Sequence, residues 1–475
     1  MRKTFLGVRL RSLREQRGLT QAALAESLEL SASYVNQLEN NQRPLSVPVL
    51  LKLQSALGVD LQFFSENEEA RLMAQLHDVV ADAGPGAAIP QAEVQALVQQ
   101  MPALARRMIQ LHKVARDTQE RLEAMAAGLG EHDLQPGTGP TRPHEEVRDF
   151  FYARHNHIAE LDALAEAAHG ALQAPSMLAR DLAGRLEDHL LARHRVSTRT
   201  ASADDALHGL RRYDPASRLL SLHPDLEPGQ RAFQLATQLA FLEADAVLTA
   251  LVASDEFRSD ESRALARIGL ASYFAGALVL PYTPFLAAAE ALHYDIDLLA
   301  RRFGVSFETV CHRLSTLQRP DARGVPFFFV RVDRAGNISK RQSATDFHFS
   351  RTGGTCPLWN VYEAFSQPGK VLTQLASMPD GRTYLWIARC IRHDSGGFGT
   401  PPREFAVALG CDRRHAARLV YARGLALDDP GAVTPIGPGC KVCERKGCAQ
   451  RAFPALGRQL SINENQRPVE PYANA

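Results

Sequence analysis

Excess charge is the first thing this 475-residue chain lacks: 54 Lys and Arg against 53 Asp and Glu leave a formal charge of +1. No global field draws it to nucleic acid, so any such binding must come from a local patch. Long apolar runs are missing as well. None reaches the roughly 18 to 20 residues that cross a bilayer, so no membrane partner is expected. The opening stretch, MRKTFLGVRLRSLREQRG, interleaves basic and apolar side chains where a signal peptide would carry a solid apolar block. A cytoplasmic protein is therefore expected. Cysteine is absent until Cys311, and six more follow: Cys356, Cys390, Cys411, Cys440, Cys443 and Cys448. In a reducing compartment that odd set suits metal ligation better than a disulfide framework. The length exceeds one ordinary core, so about two to four domains are expected.

Helix punctuation dominates the start. In FLGVRLRSLREQRGLTQAALAESLELSASYVNQLENNQRPLSVPVLLKLQSALGV, Leu6, Leu10 and Leu13 recur at helical spacing, with Arg9, Arg11, Arg14 and Arg17 on other faces. Gly18 ends that helix, Thr20 caps the next, and Ser31 caps ASYVNQLENN. Pro44 and Ser46-Val-Pro punctuate a fourth helix. Two short helices across a tight turn, the second polar on its outer face, fit a helix-turn-helix DNA reader. The pattern LTQ-x2-LA-x7-SYV-x2-LE-x3-RP closely resembles the XRE (phage-repressor-like) family and marks residues 1–65 as an all-α DNA-binding domain. The resemblance implies a double-stranded DNA operator as partner. By position it implicates Gln21 as a buttress, Ala32, Ser33, Tyr34 and Gln37 at base edges, and Asn40 and Arg43 near phosphates. A helical bundle that only mediates contacts is the alternative. Leu24, Val35 and Leu38 are core under either reading.

Residues 66–130 continue in helical pattern, broken at GPGAAIP. The apolar steps of VQALVQQMPALARRMIQLHKVARDTQERLEAMA suit a dimerisation helix, which operator symmetry favours, or a plain amphipathic cover. The Gly- and Pro-rich EHDLQPGTGPTRPHEE predicts a flexible linker over residues 131–146.

The stretch 147–317 is mostly helical in pattern. Within it, RAFQLATQLAFL followed by GLASYFAGALVLPYTPFLAAAE resembles, in order, the ImmA/IrrE family of zinc peptidase-like domains. Those domains read RFTLAHELGH and then EAN-x-FA-x-ELLMP. Their chemistry needs two His at i and i+4 on one zinc, a Glu as general base and a later carboxylate ligand. Here the matching residues are Thr237, Gln238 and Phe241, while Leu270 and Ala277 stand where acidic residues belong. That set holds no zinc, and Gln238 takes no proton from water. A degenerate domain with no catalytic residue is expected, and the protein is not expected to be an enzyme. His155, His157, His189 and His194 repeat no ligand spacing and are expected at the surface or at helix ends. The segment IDLLARRFGVSFETVCHRLSTLQRP has a helix-turn-helix look, but a matching stretch closes the ImmA/IrrE domain by packing, and that role is expected here. Cys311 within it reads as a small buried hydrophobe.

Past Pro320 the period changes. GVPFFFVRVDRAGNISKRQ predicts a hairpin turning at Ala-Gly-Asn, and GKVLTQLASMPDGRTYLWIARCIR a second turning at Pro379-Asp-Gly. EFAVALGCDRRHAARLVYARGL reads as a helix-turn-helix-like pair, with Cys411 at a helix start and Cys390 in a strand, both structural. Residues 318–475 are thus expected to form an α+β domain in a multidomain chain. Near its end lies GCKVCERKGCAQRAFP, spaced C-x2-C-x4-C, one ligand short of a closed site.

The order of these parts, with GGTCPLWNVYEAF, PGK and the cysteine cluster trailing RAFP, resembles the short-chain fatty acyl-CoA regulators of the RamB, PrpR and MccR type across nearly the whole chain. The resemblance implies transcriptional control of short-chain acyl-CoA and propionate (methylcitrate, glyoxylate) metabolism. A CoA thioester such as propionyl-CoA would be the signal, and the regulator would be a homodimer or homotetramer. A redox- or metal-sensing regulator is the alternative. Cys440, Cys443 and Cys448 need a fourth ligand, and Cys356, followed by Pro357 as in ferredoxin motifs, is the candidate. Three clustered cysteines plus a distant Cys-Pro favour a 4Fe-4S cluster, as the resemblance does, and zinc stays the alternative. Lys441, Arg445, Lys446 and Arg451 would offset cluster charge, meet CoA phosphates, or form an ordinary solvated loop. Acyl-CoA candidates are Arg351, Lys370, Arg389 and Arg392 for phosphates and Trp359 for a ring slot, although Trp359, Tyr362 and Phe365 also read as core.

Overall fold

The structure is a computed structural model that describes residues 7–40, 42–43, 45–57, 66–82, 89–127, 143–202, 209–344, 356–393, 399, 402–440, 443, 445–454, 460, 462, 464–466, 468–470 and 472. The chain forms two compact units. One comprises Met1–His132, Asp346–Thr355 and Gly437–Ala475; the other, Asp133–Thr345 and Cys356–Ile436.

The first unit opens with α1 (Gly7–Gln16), α2 (Gln21–Ser27), α3 (Ala32–Glu39) and α4 (Val47–Leu57). The caps fall where the sequence sets them. Thr20 Oγ1 accepts from the Ala23 amide and Ser31 Oγ from the Tyr34 amide, each at 3.1 Å. Leu10, Leu24, Val35, Leu38 and Leu53 are fully buried between these helices. Next come α5 (Glu66–Asp82), α6 (Gln91–Gln100) and α7 (Pro102–Ala127), which share a small core of Leu72, Leu76, Val94, Val98 and Ala105.

The second unit begins with α8 (Pro143–Ala153), α9 (Ala159–Leu172) and α10 (Ala179–His194). Helix α8 starts inside the stretch expected to be linker, 131–146. Proline is suited to a first helical position, and Glu145 and Glu146 favour the positive end of the helix dipole. A three-stranded sheet follows, β1 (Ser197–Thr200), β2 (Arg211–Asp214) and β3 (Leu219–Leu222), in order β1-β3-β2. Then come α11 (Pro228–Glu243), α12 (Asp245–Val252), α13 (Asp260–Val279), α14 (Tyr282–Ala291), α15 (Ile296–Phe303) and α16 (Phe307–Leu314). Alanines 232, 236 and 240 of α11 and 271 and 275 of α13 are buried, and their small side chains let packed helices approach closely.

The α15–α16 pair closes the domain by packing, as expected. Leu299, Phe303, Val310 and Leu314 are buried, and Cys311 is a buried thiol whose pKa burial pushes well up. Arg313, 3% exposed, donates to Asp162 of α9 at 2.7 Å and to the Leu280 carbonyl at 2.8 Å. Tyr273 of α13 also donates to Asp162, at 2.9 Å. Burial raises the Asp162 pKa, but Arg313 and His157 more than offset it and hold the carboxyl well below the usual range. No single helix among the described residues is long and apolar enough to cross a membrane.

The second sheet comprises β4 (Phe328–Val332), β5 (Ile338–Ser343), β6 (Leu372–Ser377), β7 (Thr383–His393), β8 (Arg403–Asp412) and β9 (Thr434–Pro435), in order β5-β4-β8-β7-β6-β9. Both expected hairpins form. The first is closed by Asn337 donating to Asp333 at its turn, the second by Gly381 at φ +83. The expected helix-turn-helix-like pair over EFAVALGCDRRHAARLVYARGL does not form. Its first half is strand β8, paired with β4 on one side and β7 on the other, and short 3-10 turns follow. Cys411 therefore lies on a strand, fully buried.

One face of this sheet, with Phe329, Leu385, Ile387 and Leu409, joins the core of helices α8 to α16. The other carries Phe328 and Trp386 under Trp359 and α17 (Asn360–Glu363); ring centroids lie 4.3 Å apart for Phe328–Trp386 and 4.4 Å for Trp359–Trp386. Gly410 is required here, because a Cβ would sit 1.9 Å from the Phe328 ring.

Candidate functional site

The residues expected at base edges lie on α3. Ala32 and Ser33 are exposed and Gln37 half-buried, while the half-buried Tyr34 packs against the core that holds Val35 and Leu38. Gln21 braces α2 against α3, donating to Glu39 at 2.7 Å and Asn36 at 3.5 Å. Glu39 is buried and takes Arg14 through both oxygens, at 2.6 and 3.2 Å, which ties α1 to the same point. Burial raises the Glu39 pKa, but the Arg14 and Gln21 hydrogen bonds lower it further. Arg43 lies over the Tyr34 ring at 5.5 Å, and Asn40 donates to Asn36 at 2.8 Å. Asn36 was not among the sequence candidates. It is exposed, three positions after Ser33 and four after Ala32, and that helical spacing was the available signal.

The three residues that match zinc-site positions are engaged by other protein groups. Thr237 turns its hydroxyl back to the Phe233 carbonyl at 2.8 Å. Gln238, 3% exposed, accepts from the guanidinium of Arg211 on β2, and the same guanidinium lies 5.4 Å from the Phe241 ring. A fixed cation thus meets two of the three residues that match zinc-site positions, which disfavours a second cation there. Burial lowers the Arg211 pKa. Leu270 and Ala277 are buried core residues. Sequence reasoning missed Arg211, since nothing in its neighbourhood along the chain ties it to α11.

Of the four histidines expected at surfaces or helix ends, His194 is the last residue of α10 and partly exposed. His157 is nearly buried, 3.2 Å from Asp162. His189 and His194 converge on Glu243, at 2.7 and 2.8 Å.

The acyl-CoA candidates do not gather at one point. Arg389 and Arg392 are three apart on β7 and so point to opposite faces. Arg389 pairs with Asp297 of α15 at 2.7 Å. Arg392 shares the Trp386 face, 3.7 Å from Glu404, which also pairs with Arg334. Lys370 is exposed and donates to Gln367 at 2.8 Å. Trp359 is buried against Trp386. Phe365 lies under Arg334, 5.6 Å from its guanidinium. Arg351 lies outside the described residues.

In the cysteine loop, Cys443 is buried and Cys440 and Cys448 are partly so. Arg451 is no solvated charge: it is 3% exposed, held by Glu470 at 2.6 Å, and donates to the carbonyls of Cys440 at 3.1 Å, Cys443 at 3.2 Å and Arg445. The Ala452 amide points at Cys440 Sγ from 3.5 Å. A Cβ on Gly437 would stand 2.5 Å from Cys443 Sγ, so only glycine fits. A stitched backbone, a sulfur facing an amide and a glycine against a sulfur fit a thiolate-bound metal group. Lys446 is exposed, and Lys441 lies outside the described residues. Cys356 precedes α17 in the other unit and is buried.

Three families match along the chain: a helix-turn-helix over residues 10–64, the IrrE N-terminal-like domain over 191–315, and the short-chain fatty acyl coenzyme A regulator C-terminal domain over 316–472. The HTH-type transcriptional regulators PrpR and RamB of Mycobacterium tuberculosis are each 50% identical, over 99% of this chain and 96% and 99% of theirs. A propionyl-CoA carboxylase regulator of Cereibacter sphaeroides is 43% identical over 99% of this chain and 98% of its own. The solved structure of a Mycobacterium tuberculosis transcriptional regulator matches 70% of this chain and all of its own, with 52% identity and a TM-score of 0.66. The chain belongs to the short-chain fatty acyl coenzyme A regulator family of DNA-binding transcriptional regulators.

Proposed function

We propose that this regulator answers to a short-chain acyl-CoA of the propionyl-CoA kind, bound by its C-terminal domain, and controls genes of propionate and related acyl-CoA metabolism. One observation carries the reading: the strands of the acyl-CoA regulator domain share a single core with the peptidase-like helices. A ligand that shifts the sheet therefore bears on the middle domain. Such a ligand acts only through different affinities for the states that bind operator well and poorly. Arg351, Lys370 and Arg392 are the proposed phosphate contacts, with Trp359 walling the slot. Arg389 joins them only by leaving Asp297.

Gln21, Ala32, Ser33, Tyr34, Gln37, Asn40 and Arg43, with Asn36 added, are the proposed operator contacts. The protein would bind a two-fold operator as a homodimer or homotetramer in the cytoplasm. Met101, Leu104, Leu111 and Val114, exposed along or beside α7, support self-association through that helix. The engagement of the zinc-position residues supports a regulator that is not an enzyme.

Cys440, Cys443, Cys448 and Cys356 are the proposed ligands of a 4Fe-4S cluster, with zinc as the alternative. When bound, the cluster supplies a thiolate-linked anchor and one-electron redox chemistry. The buried Arg451 and its ties to the loop carbonyls favour an anchoring role. The alternative is a cluster that is itself the sensor.

The test is a thermal-shift titration of freshly isolated, anaerobically handled protein with propionyl-CoA. The acyl-CoA reading expects stabilisation that grows with ligand, about 2.7 kcal/mol at a hundredfold excess over Kd. No shift at millimolar ligand, with operator binding lost on exposure to air, would favour the cluster as sensor. A colourless protein holding one zinc would overturn the iron assignment.

A further inference from the structure

We infer that His189, His194 and Glu243 form a site for a divalent transition-metal ion, built where the C-terminal ends of α10 and α11 meet. Among the described residues, these three are the group whose candidate ligand atoms all lie within 4.8 Å of one another. Both Nε2 atoms approach the same oxygen, Glu243 Oε1, at 2.7 and 2.8 Å. The rings do not stack on each other; their centroids are 6.1 Å apart and their planes 57° apart. Two imidazoles therefore turn their nitrogens to one carboxylate oxygen, and an ion entering between the three would take the place of those hydrogen bonds.

The fold builds this from a helix ending. His194 follows His189 by five positions, which on a continuing helix would set the two side chains roughly 140° apart. Helix α10 stops at His194, because Arg195 takes a left-handed φ of 55°. Hydrogen bonds from the Arg195 amide to the Leu191 carbonyl and from the Val196 amide to the Leu190 carbonyl close that end at 3.0 Å each. At that end the His194 ring lies 6.1 Å from the His189 ring and reaches the same oxygen of Glu243. Glu243 is likewise the last residue of α11.

Electrostatics favours a cation at this place. Each helix C-terminus carries partial negative charge, two of them meet here, and Glu243 adds a full one. Two arginines already stand near: Arg218 donates to the His194 carbonyl at 3.3 Å, and Arg193 Nε lies 3.4 Å from Glu243 Oε1 on a side chain that is 67% exposed. The three ligand side chains are 18 to 24% exposed, sheltered yet reachable, so water can complete the shell. Two imidazole nitrogens and one carboxylate oxygen suit zinc, cobalt or nickel, and do not suit the all-oxygen shells of calcium or magnesium. The ion would clip α10 to α11. No cysteine takes part, so the site is chemically distinct from the cysteine loop.

The test is titration of the full chain with Co2+, followed in the visible spectrum, with Zn2+ as competitor. The expected result is one equivalent showing weak ligand-field bands without thiolate charge transfer, displaced by Zn2+. His189→Ala and His194→Ala should each weaken that equivalent by at least ~10- to 100-fold, the loss usual even for second-sphere partners. Arg193→Ala, which removes a competing cation, should tighten it. As a guard against misfolding, each variant should melt as the metal-free parent does and lose only the rise that metal gives the parent. Cobalt bound solely with thiolate charge transfer, or a nitrogen–oxygen equivalent that survives in both histidine variants, would overturn the proposal, as would no uptake at all.

Discussion

Arg389 on β7 stands 2.7 Å from Asp297 on α15, and its guanidinium lies 4.9 Å from the ring of Phe307, the first residue of α16. One side chain thus fastens the acyl-CoA regulator sheet to the helix pair that closes the peptidase-like domain. Arg331 of β4 does the same through Glu308 at 3.0 Å, and Tyr421 through the Ile296 amide at 2.9 Å.

Because Arg389 and Asp297 are partly exposed, their coupling should be modest. A thermal-denaturation cycle over Arg389→Ala, Asp297→Ala and the double variant is expected to give about 0.5–1 kcal/mol. The single variants should also blunt the effect of acyl-CoA on operator affinity while the ligand still binds. Strictly additive stabilities and an unaltered ligand effect would remove this pair from the relay.

In the DNA reader, bracing and contact should separate by mutation. Glu39→Ala strands Arg14 and Gln21 and is expected to cost about 3 kcal/mol. Hydrogen exchange should then show helices α1 to α4 losing protection. Gln37→Ala should leave that protection intact and cost operator affinity about 1–3 kcal/mol, read by fluorescence anisotropy at fixed salt. Equal loss of protection in both variants would make Gln37 structural.

The engaged zinc-position residues give a gain-of-metal experiment. Restoring the two histidines and the base with Thr237→His, Gln238→Glu and Phe241→His, and a carboxylate ligand with Leu270→Glu, should not yield tight zinc binding there while Arg211 remains. Adding Arg211→Ala should allow it, as measured by zinc content after dialysis. An equivalent of zinc beyond the parent's content in that variant with Arg211 present would show that the guanidinium does not occupy the place.

Acid should loosen the α16–β4 contact. Burial presses the His312 imidazole, centred 4.1 Å from the Phe329 ring, from 6.5 down to about 4, helped by the Lys340 charge. Burial raises the Glu308 pKa, but His312 and Arg331 outweigh it and bring the carboxyl from 4.5 to about 2. Between 6.5 and 4 the unfolded chain holds a proton on His312 that the folded one refuses, and between 4.5 and 2 the same is true of Glu308. In both windows the unfolded state binds more protons, so stability rises with pH and falls on acidification. Calorimetric melting should drop as pH falls from 6.5 to 4, and His312→Gln should flatten that span. An unchanged slope in the variant would place the titrating group elsewhere.

The legible parts of the sequence were those written in local chemistry. Thr20 and Ser31 announce two helices by their caps, and Asp333-Arg-Ala-Gly-Asn and Pro379-Asp-Gly announce two hairpins by their turns. Strand β8 was misread because it lies between β4 and β7 with both faces buried. Its AVALGC run then shows no alternation, and periodicity cannot tell such a strand from a buried helix. The His189, His194 and Glu243 group was invisible for a different reason. Its carboxylate is 49 and 54 positions from the two histidines along the chain, and those histidines meet only because α10 ends between turns. Arg211 reaches Gln238 across 27 positions from a short strand that the mostly helical pattern did not reveal.

The most direct measurement is the affinity of the full chain for its operator at fixed salt, with and without saturating propionyl-CoA. An acyl-CoA-responsive regulator is expected to change its Kd by about fivefold or more, the lower end of ordinary allosteric coupling, and operator DNA should change its acyl-CoA affinity by the same factor. Identical operator affinity with and without ligand, together with no ligand-dependent rise in melting temperature, would contradict it.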